Sequence, residues 1–285
     1  MSIKYKFGSD EATRFFFNFF NAQLSLLEKL YQHQFTNLKH LDDTRLGNLY
    51  PLLFSIHHTG ASIHLLSKYY HINECYILAR SFLEKLINYT YLLSCNEEEY
   101  SKYLAYTEQK SYRILNRSFI VGDSKVSQIW SGSIDLDNAP ELKKSIDMFT
   151  GKTGKPKTRW TSRNLSNMLE SIEHNGKIEI GYLMFAVLHI YDDASEAIHG
   201  TLYGSLFHIG IYTGQKLSSK SELKETWNGN FSALFLALGC CVHTLVKAFH
   251  KVSDIENILS ESTNNLNEIS KVMKQSIQYT GGSHK

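Results

Sequence analysis

The chain is poor in several residue types, and each shortage excludes a class of protein. Only three prolines occur among its 285 residues, so long stretches contain no helix breaker. The four cysteines form no Cys-x-x-Cys pair, which excludes the zinc and redox motifs that depend on that spacing. Scattered cysteines of this kind are typical of buried thiols in a reducing compartment. The first twenty residues also lack a secretory signal pattern, and we therefore expect a cytoplasmic protein.

Charge of one sign and long hydrophobic runs are also scarce. The net charge of +2 is too small to indicate a nucleic-acid or membrane partner by itself. Residues 226–246 contain no Asp, Glu, Lys or Arg, but polar residues such as Asn228, Asn230 and His243 interrupt them. The uninterrupted apolar part is shorter than the roughly 20 residues of a membrane span. The favoured interpretation is a buried helix with no stable membrane insertion, and the alternative is membrane attachment.

Aromatic and aliphatic residues are abundant and recur at helical spacing. Tyr and Phe together number 33, which suits helix–helix packing. The pattern of apolar residues predicts helices over residues 74–93, 100–119, 162–174, 178–199, 230–250 and 254–278, with two more before residue 70. The expected fold is therefore all-α, a multi-helix bundle formed by a single helical domain over residues 1–285.

The centre and the end of the chain differ from this pattern. Residues 121–161 contain four glycines and two prolines with only short apolar runs, which predicts a long irregular insertion. One short helix is expected within it, near residues 141–149. Residues 279–285 contain Gly and Ser and are predicted to form a flexible tail.

Two charged residues lie inside the apolar helix predicted at 74–93. By the i, i+4 rule Arg80 and Glu84 are neighbours on one stripe, together with Tyr76 and Tyr91. One interpretation is an ion pair that ties the bundle together. The other is that Arg80 binds an anion and Glu84 holds it in place, because charges inside apolar helices often mark a site.

A second polar group ends the helix predicted at 178–199. Tyr191, Ser195 and His199 follow one another at intervals of four residues, and Glu196 lies on an adjoining stripe with His199. His199 before Gly200 is consistent with a simple C-terminal cap. The alternative is that His199 is a general acid or base, oriented by Glu196 or Ser195.

Known metal and phosphate motifs fail on spacing. Glu196-x-x-His199 is half of a di-iron signature, but the chain contains no second Glu-x-x-His. Gly151-Lys152-Thr153 would need a glycine five residues earlier to form a phosphate loop, and Ile146 stands there. The histidines at 57, 58 and 64 match no zinc spacing. We therefore expect no metal and no cofactor.

A basic segment lies at the end of the predicted insertion. It contains five cations around one tryptophan: Lys152, Lys155, Lys157, Arg159, Trp160 and Arg163. One interpretation is an ordinary solvated loop. The other is a nucleic-acid-binding strip in which cations contact phosphates and the indole stacks on a base.

Several of these residues carry a family resemblance. They are the segment RSFLE at 80–84, the segment NYTYLL at 88–93, the segment WTSR at 160–163, Tyr191, and Ser195-x-x-x-His199-Gly200. With them, residues from about 75 to 203 resemble a family of bacterial all-helical proteins known only as a domain of unknown function. The resemblance implies a helical bundle and no established reaction.

More distantly, the chain resembles HEPN ribonucleases of toxin and phage-defence systems. Their working helix contains an Arg, a polar residue and then a His, often followed by Gly. Here His199-Gly200 is present, but Asp192, Asp193 and Ala194 occupy the place of the Arg. In a nuclease of this type, Arg80 of the other helix would have to supply the missing cation.

Two functions follow as expectations. The first is an HEPN-like protein that acts on RNA in bacterial defence or stress, as a metal-independent endoribonuclease with Arg80, Glu84, Tyr191, Ser195, Glu196 and His199 at its catalytic site. The second is a non-catalytic helical sensor or adaptor in a defence or toxin–antitoxin complex. The expected partners are RNA, a protein of the same system and a second copy of the chain, since symmetric dimers are the commonest oligomers.

Overall fold

The computed structural model describes residues 6–36, 44–129, 134–207 and 219–280. Within these ranges the chain is mostly helical, which confirms the predicted all-α class. The elements are α1 Asp10–Thr36, α2 Arg45–Ser67, α3 Ile72–Ser94, α4 Glu97–Leu115, β1 Asn116–Val121, β2 Ser124–Ile129, α5 Pro140–Met148, α6 Leu165–His174, α7 Gly181–Ile198, α8 Leu202–Phe207, α9 Lys220–His250 and α10 Glu256–Thr280.

The chain divides into two compact units. Residues 1–94 and 168–285 form one, which we call the terminal unit, and residues 95–167 form the other, the central unit. The single domain over residues 1–285 stays a prediction. Most of the predicted tail, residues 281–285, lies outside the described residues.

The terminal unit packs its helices around aromatic side chains. Phe20 of α1 stacks on Phe235 of α9 with ring centroids 5.8 Å apart, and Phe82 of α3 meets Phe20 edge to face at 6.3 Å. Gly239 allows α9 to approach α1 closely, because a Cβ there would lie 2.4 Å from the ring of Phe19. Helices α3 and α7, which contain the candidate site, both pack on α9.

Helix α9 contains the apolar stretch that raised the membrane question. It is the one helix in the described ranges that is long and apolar enough to cross a membrane, and 89% of its most apolar window is buried inside the structure. A core helix of a bundle can have the same length and composition as a membrane span.

All four cysteines, two of them on α9, are buried and free, as the sequence predicts.

The central unit contains a hairpin that the sequence analysis did not predict. The helix expected to continue to residue 119 ends at Leu115, and β1 pairs with β2 in antiparallel register with Val121 opposite Ser124. The turn between them is Gly122-Asp123, with Gly122 at φ +56°. A Gly-Asp pair between two short runs rich in Ile and Val is a hairpin signal, so the correct assignment was available from the sequence.

The rest of the predicted insertion is more ordered than expected. Helix α5 covers Pro140–Met148, close to the short helix predicted there, and its N-terminus has Pro140 at a position that proline favours. Arg113 of α4 holds the end of α5, since Nη2 donates to the Thr150 hydroxyl at 2.7 Å. The predicted insertion therefore contains β2 and α5, and it belongs with α4 to the compact central unit.

Candidate functional site

Arg80 connects α3 to α7 through its guanidinium group. Its Nε donates to Glu84 Oε1 at 3.0 Å on its own helix. Across the helix interface Nη1 donates to Ser195 Oγ at 2.5 Å and Nη2 donates to Tyr191 OH at 3.1 Å. The guanidinium carbon also lies 4.2 Å from the centroid of the Tyr191 ring. Four of the six predicted catalytic residues therefore meet at one arginine.

The guanidinium group keeps capacity for a further ligand. An arginine side chain has five N–H donors, and three of those of Arg80 are used by Glu84, Ser195 and Tyr191. The other two have no acceptor among the described residues. The Arg80 side chain is 21% exposed and that of Glu84 is 43% exposed. The pair thus lies at a partly open surface, where an anion could reach Arg80.

The charge of Arg80 is secure in this setting. Partial burial lowers its pKa, but hydrogen bonds and charge interactions with Glu84 and Tyr191 outweigh burial and raise the pKa above its ordinary value. Arginine is therefore cationic at every relevant pH. A fixed charge of this kind suits anion binding and the stabilisation of a negative transition state.

His199 lies at the end of α7, one turn beyond Ser195. The helix terminates in a Schellman motif: Gly200 N donates to Ala197 O and Thr201 N donates to Glu196 O, both at 3.3 Å. Gly200 supplies the left-handed residue of the motif, at φ +63°. The termination is thus made by Gly200 and the backbone, and the His199 side chain is exposed.

Glu196 is hydrogen-bonded to Thr201, beyond the end of α7. Thr201 donates its hydroxyl hydrogen to Glu196 Oε2 at 2.7 Å and accepts from Gly204 N at 3.0 Å, which links the end of α7 to the start of α8. The interpretation of Glu196 as an orienting group for His199 stays a prediction. The Ser195 hydroxyl group donates to Tyr191 O at 2.7 Å, and its role in orienting the His199 ring likewise stays a prediction.

A second polar contact at this end was missed by the sequence analysis. The Tyr203 hydroxyl donates to Asp193 Oδ1 at 3.2 Å. Burial raises the pKa of Asp193, and the hydrogen bond from Tyr203 offsets part of that effect. Asp193 lies on α7 and Tyr203 on α8, so the i, i+4 spacing rule for a single helix could not have paired the two residues.

The predicted nucleic-acid-binding strip lies in the central unit and only half of it lines a cavity. Lys157, Arg159 and Trp160 contribute to a cavity of about 580 Å³ beside α4. Arg163 instead pairs with Glu99 at 3.8 Å, and Trp160 packs edge to face on Tyr103 at 5.4 Å. Lys152 and Lys155 are exposed on the turn of residues 151–155.

No metal centre accompanies these groups. Within the described ranges, no cluster of three or more His, Cys, Asp or Glu side chains is placed to hold a metal ion. Arg80, Glu84, Tyr191 and Ser195, which we call the Arg80 cluster, can supply hydrogen bonds and a positive charge to a ligand.

Residues 48–215, more than half of the chain, match the family of unknown function DUF5677. The chain belongs to this family. The DUF5677 segment contains α3 and α7 and hence the whole Arg80 cluster, and it is longer than the resemblance noted from the sequence. No curated protein and no solved structure matches the chain. The likeness to HEPN ribonucleases stays a prediction.

Proposed function

We propose that this DUF5677 protein acts on RNA, as a metal-independent endoribonuclease in bacterial defence or stress. The observation that carries the proposal is that Arg80 reaches from α3 to Ser195 on α7, one helical turn before His199, while two of its five N–H donors have no acceptor among the described residues. An arginine and a histidine on different helices would then perform the role that one helix performs in HEPN ribonucleases.

The roles follow from the geometry of α7. Ser195 and His199 lie four residues apart, so about 6 Å of helix rise separates them on one face. A phosphate that accepts from Arg80 would therefore lie within reach of the imidazole. His199 would take the proton of a ribose 2′-hydroxyl, whose oxygen attacks phosphorus while the bond to the 5′-oxygen breaks and water protonates that oxygen. Arg80 would balance the charge on the pentacoordinate phosphate.

The basic residues of the central unit support an RNA ligand. Lys152, Lys155 and Arg159 are exposed, and Trp160 is half-buried at the edge of a cavity. Cations beside an aromatic ring are the usual elements of single-strand recognition. Each exposed cation that contacts phosphate would add to the salt dependence of binding.

The test is incubation of the purified protein with total cellular RNA, with and without EDTA. We expect degradation that EDTA does not inhibit and that both His199→Ala and Arg80→Ala abolish. His174→Ala is the matched control, because His174 also stands in the last turn of a helix and should leave degradation intact. Unaltered degradation by a folded His199→Ala variant would overturn the assignment.

The second candidate is a non-catalytic sensor or adaptor. It is favoured by the two donors of Arg80 that join α3 to α7 and the third that pairs with Glu84 on α3, because such a network is also what a purely structural arginine would form. In that case the wild-type protein and both variants would leave RNA intact. Co-purification of a partner protein from the native host, lost in the Arg80→Ala variant, would support the adaptor.

The expected homodimer belongs to the same proposal. Closed two-fold symmetry is the commonest arrangement of such chains. Light scattering coupled to size-exclusion chromatography should give twice the chain mass of 32.7 kDa. A mass of one chain at micromolar concentration would contradict it.

A further inference from the structure

The terminal unit contains a polar cavity formed by residues other than the Arg80 cluster. It lies where α1, the end of α2 and the first half of α9 meet, and its volume is about 480 Å³. This is within the range of 300–1,000 Å³ that is common for small-molecule sites. None of its lining residues belongs to the Arg80 cluster described above.

The rim of this cavity is positively charged. Arg14, Lys68 and Lys224 line it together with one carboxylate, Asp10, which gives a net charge of +2. Asp10 accepts from Lys224 Nζ at 2.6 Å and from Asn228 Nδ2 at 2.7 Å. The hydrogen bonds from Lys224 and Asn228 lower the pKa of Asp10, so this carboxylate stays ionised and engaged. Arg14 and Lys68 are exposed on the opposite helices of the rim.

The floor of the cavity is aromatic. Phe231 and Phe235 are buried and stacked, with centroids 5.7 Å apart, and Phe17 stands edge to face on Phe235 at 5.4 Å. Phe17 is half-buried, so part of its ring faces the cavity. A flat ring that enters would find the stacking and edge contacts that aromatic pairs favour.

Tyr70 completes the wall in a backbone conformation that tyrosine rarely adopts. Its φ is +57°, in the left-handed region, where a bulky residue is strained. The chain holds it there through a hydrogen bond from Ile72 N to Tyr70 O at 2.9 Å. The conformation places the Tyr70 ring 6.0 Å from Phe231, at the exposed side of the cavity.

We propose that this cavity binds a phosphate monoester that carries a flat ring, as nucleoside monophosphates do. A phosphate monoester has a charge near −2 at neutral pH, which matches the net charge of the lining. The planar guanidinium of Arg14 can hold two phosphate oxygens, and Lys68 adds a point charge from the other side. The ring would lie against Phe17, with Tyr70 at its edge.

The test is calorimetric titration of the full chain with four probes at low salt: AMP, ribose 5-phosphate, adenosine and inorganic phosphate. Stacking on an aromatic side chain contributes about 1–3 kcal/mol, so AMP should bind at least five-fold tighter than ribose 5-phosphate. Adenosine should bind at least ten-fold more weakly than AMP because it lacks the phosphate. Equal affinities for AMP and ribose 5-phosphate, or no AMP binding at millimolar concentration, would overturn the proposal.

Variants locate the site. Arg14→Gln combined with Lys68→Gln should weaken AMP binding at least ten-fold and leave the melting temperature unchanged, since both side chains are exposed. Lys29→Gln is the control: Lys29 is an exposed cation four turns further along α1, paired with Glu261, and its loss should leave AMP binding unchanged. AMP affinity that survives the double substitution would place the ligand elsewhere and refute the assignment. RNA degradation does not enter this readout, so the result is independent of the proposed function.

Discussion

Replacing Arg80 by alanine is the perturbation that separates a surface anion site from a structural ion pair. The substitution removes three hydrogen bonds at once, one to Glu84 on α3 and two to Tyr191 and Ser195 on α7. Breaking a fully buried ion pair typically costs about 3–5 kcal/mol, because the remaining partner is left charged and dry. The structure argues for a smaller loss here.

Each partner of Arg80 retains another means of solvation. Glu84 is 43% exposed and can be hydrated. Ser195 keeps its hydrogen bond to Tyr191 O. The Tyr191 hydroxyl group is the partner that loses most. We therefore expect a loss of about 1–2 kcal/mol, from one unsatisfied polar group and the lost packing of the guanidinium on the ring.

The assay is thermal unfolding followed by circular dichroism. For a folding unit of about 200 residues, a loss of 1–2 kcal/mol corresponds to a fall in Tm of about 2–8 °C. Compared with Arg80→Ala, the Arg80→Lys variant should regain part of the stability but little of the RNA-degrading activity, since lysine restores the charge without the planar guanidinium group. A loss above 3 kcal/mol would refute the reasoning, because it would mean that the pair behaves as a buried one.

Three further predictions concern packing, backbone and pH. Gly239→Ala should lower the free energy of unfolding by about 1–3 kcal/mol, because the new Cβ would overlap the Phe19 ring and the gain in helix propensity is only about 1 kcal/mol. Urea denaturation measures this loss, and an unchanged midpoint would contradict the prediction. Gly200→Ala should destabilise the protein by about 1 kcal/mol and so lower its Tm, because alanine is strained at a φ of +63°. Gly181→Ala adds a Cβ in open space and should leave Tm unchanged. Burial lowers the pKa of His243 from 6.5 to about 4, so the unfolded chain binds a proton at a higher pH than the folded one. The free energy of unfolding should therefore fall by up to about 2–3 kcal/mol as the pH drops from 6.5 to 4. Equal urea midpoints at pH 7 and pH 4.5, or the same pH dependence in His243→Gln, would contradict this prediction.

The sequence predicted α3 and α7 well because the cause of these helices is local, whereas it placed the start of α9 ten residues too late. Apolar spacing alone places α3 and α7 within a few residues of their observed ends, and a C-terminal Gly200 correctly marks the end of α7. The pair Arg80 and Glu84 is likewise local, one turn apart on one helix. These features need no knowledge of the tertiary structure.

The contacts between helices could not be predicted in the same way. That Arg80 meets Tyr191 and Ser195 depends on the crossing of α3 and α7, which no spacing rule encodes. The partner of Glu196 was missed for a related reason, since Thr201 lies beyond Gly200 where the chain leaves the helix. The hairpin is a different case, because its Gly122-Asp123 turn signal was present in the sequence and was overlooked.

The division of the chain also has a consequence during synthesis. Helix α1 buries its aromatic face against α9, yet about 180 residues separate the end of one from the start of the other. At about 5–20 residues per second, the ribosome needs roughly 10–40 s to synthesise the residues between the two helices. During that interval α1 is without the helix that covers it, whereas the residues of the central unit are contiguous in the sequence. Chaperone demand on the nascent chain should therefore be greatest before α9 is complete.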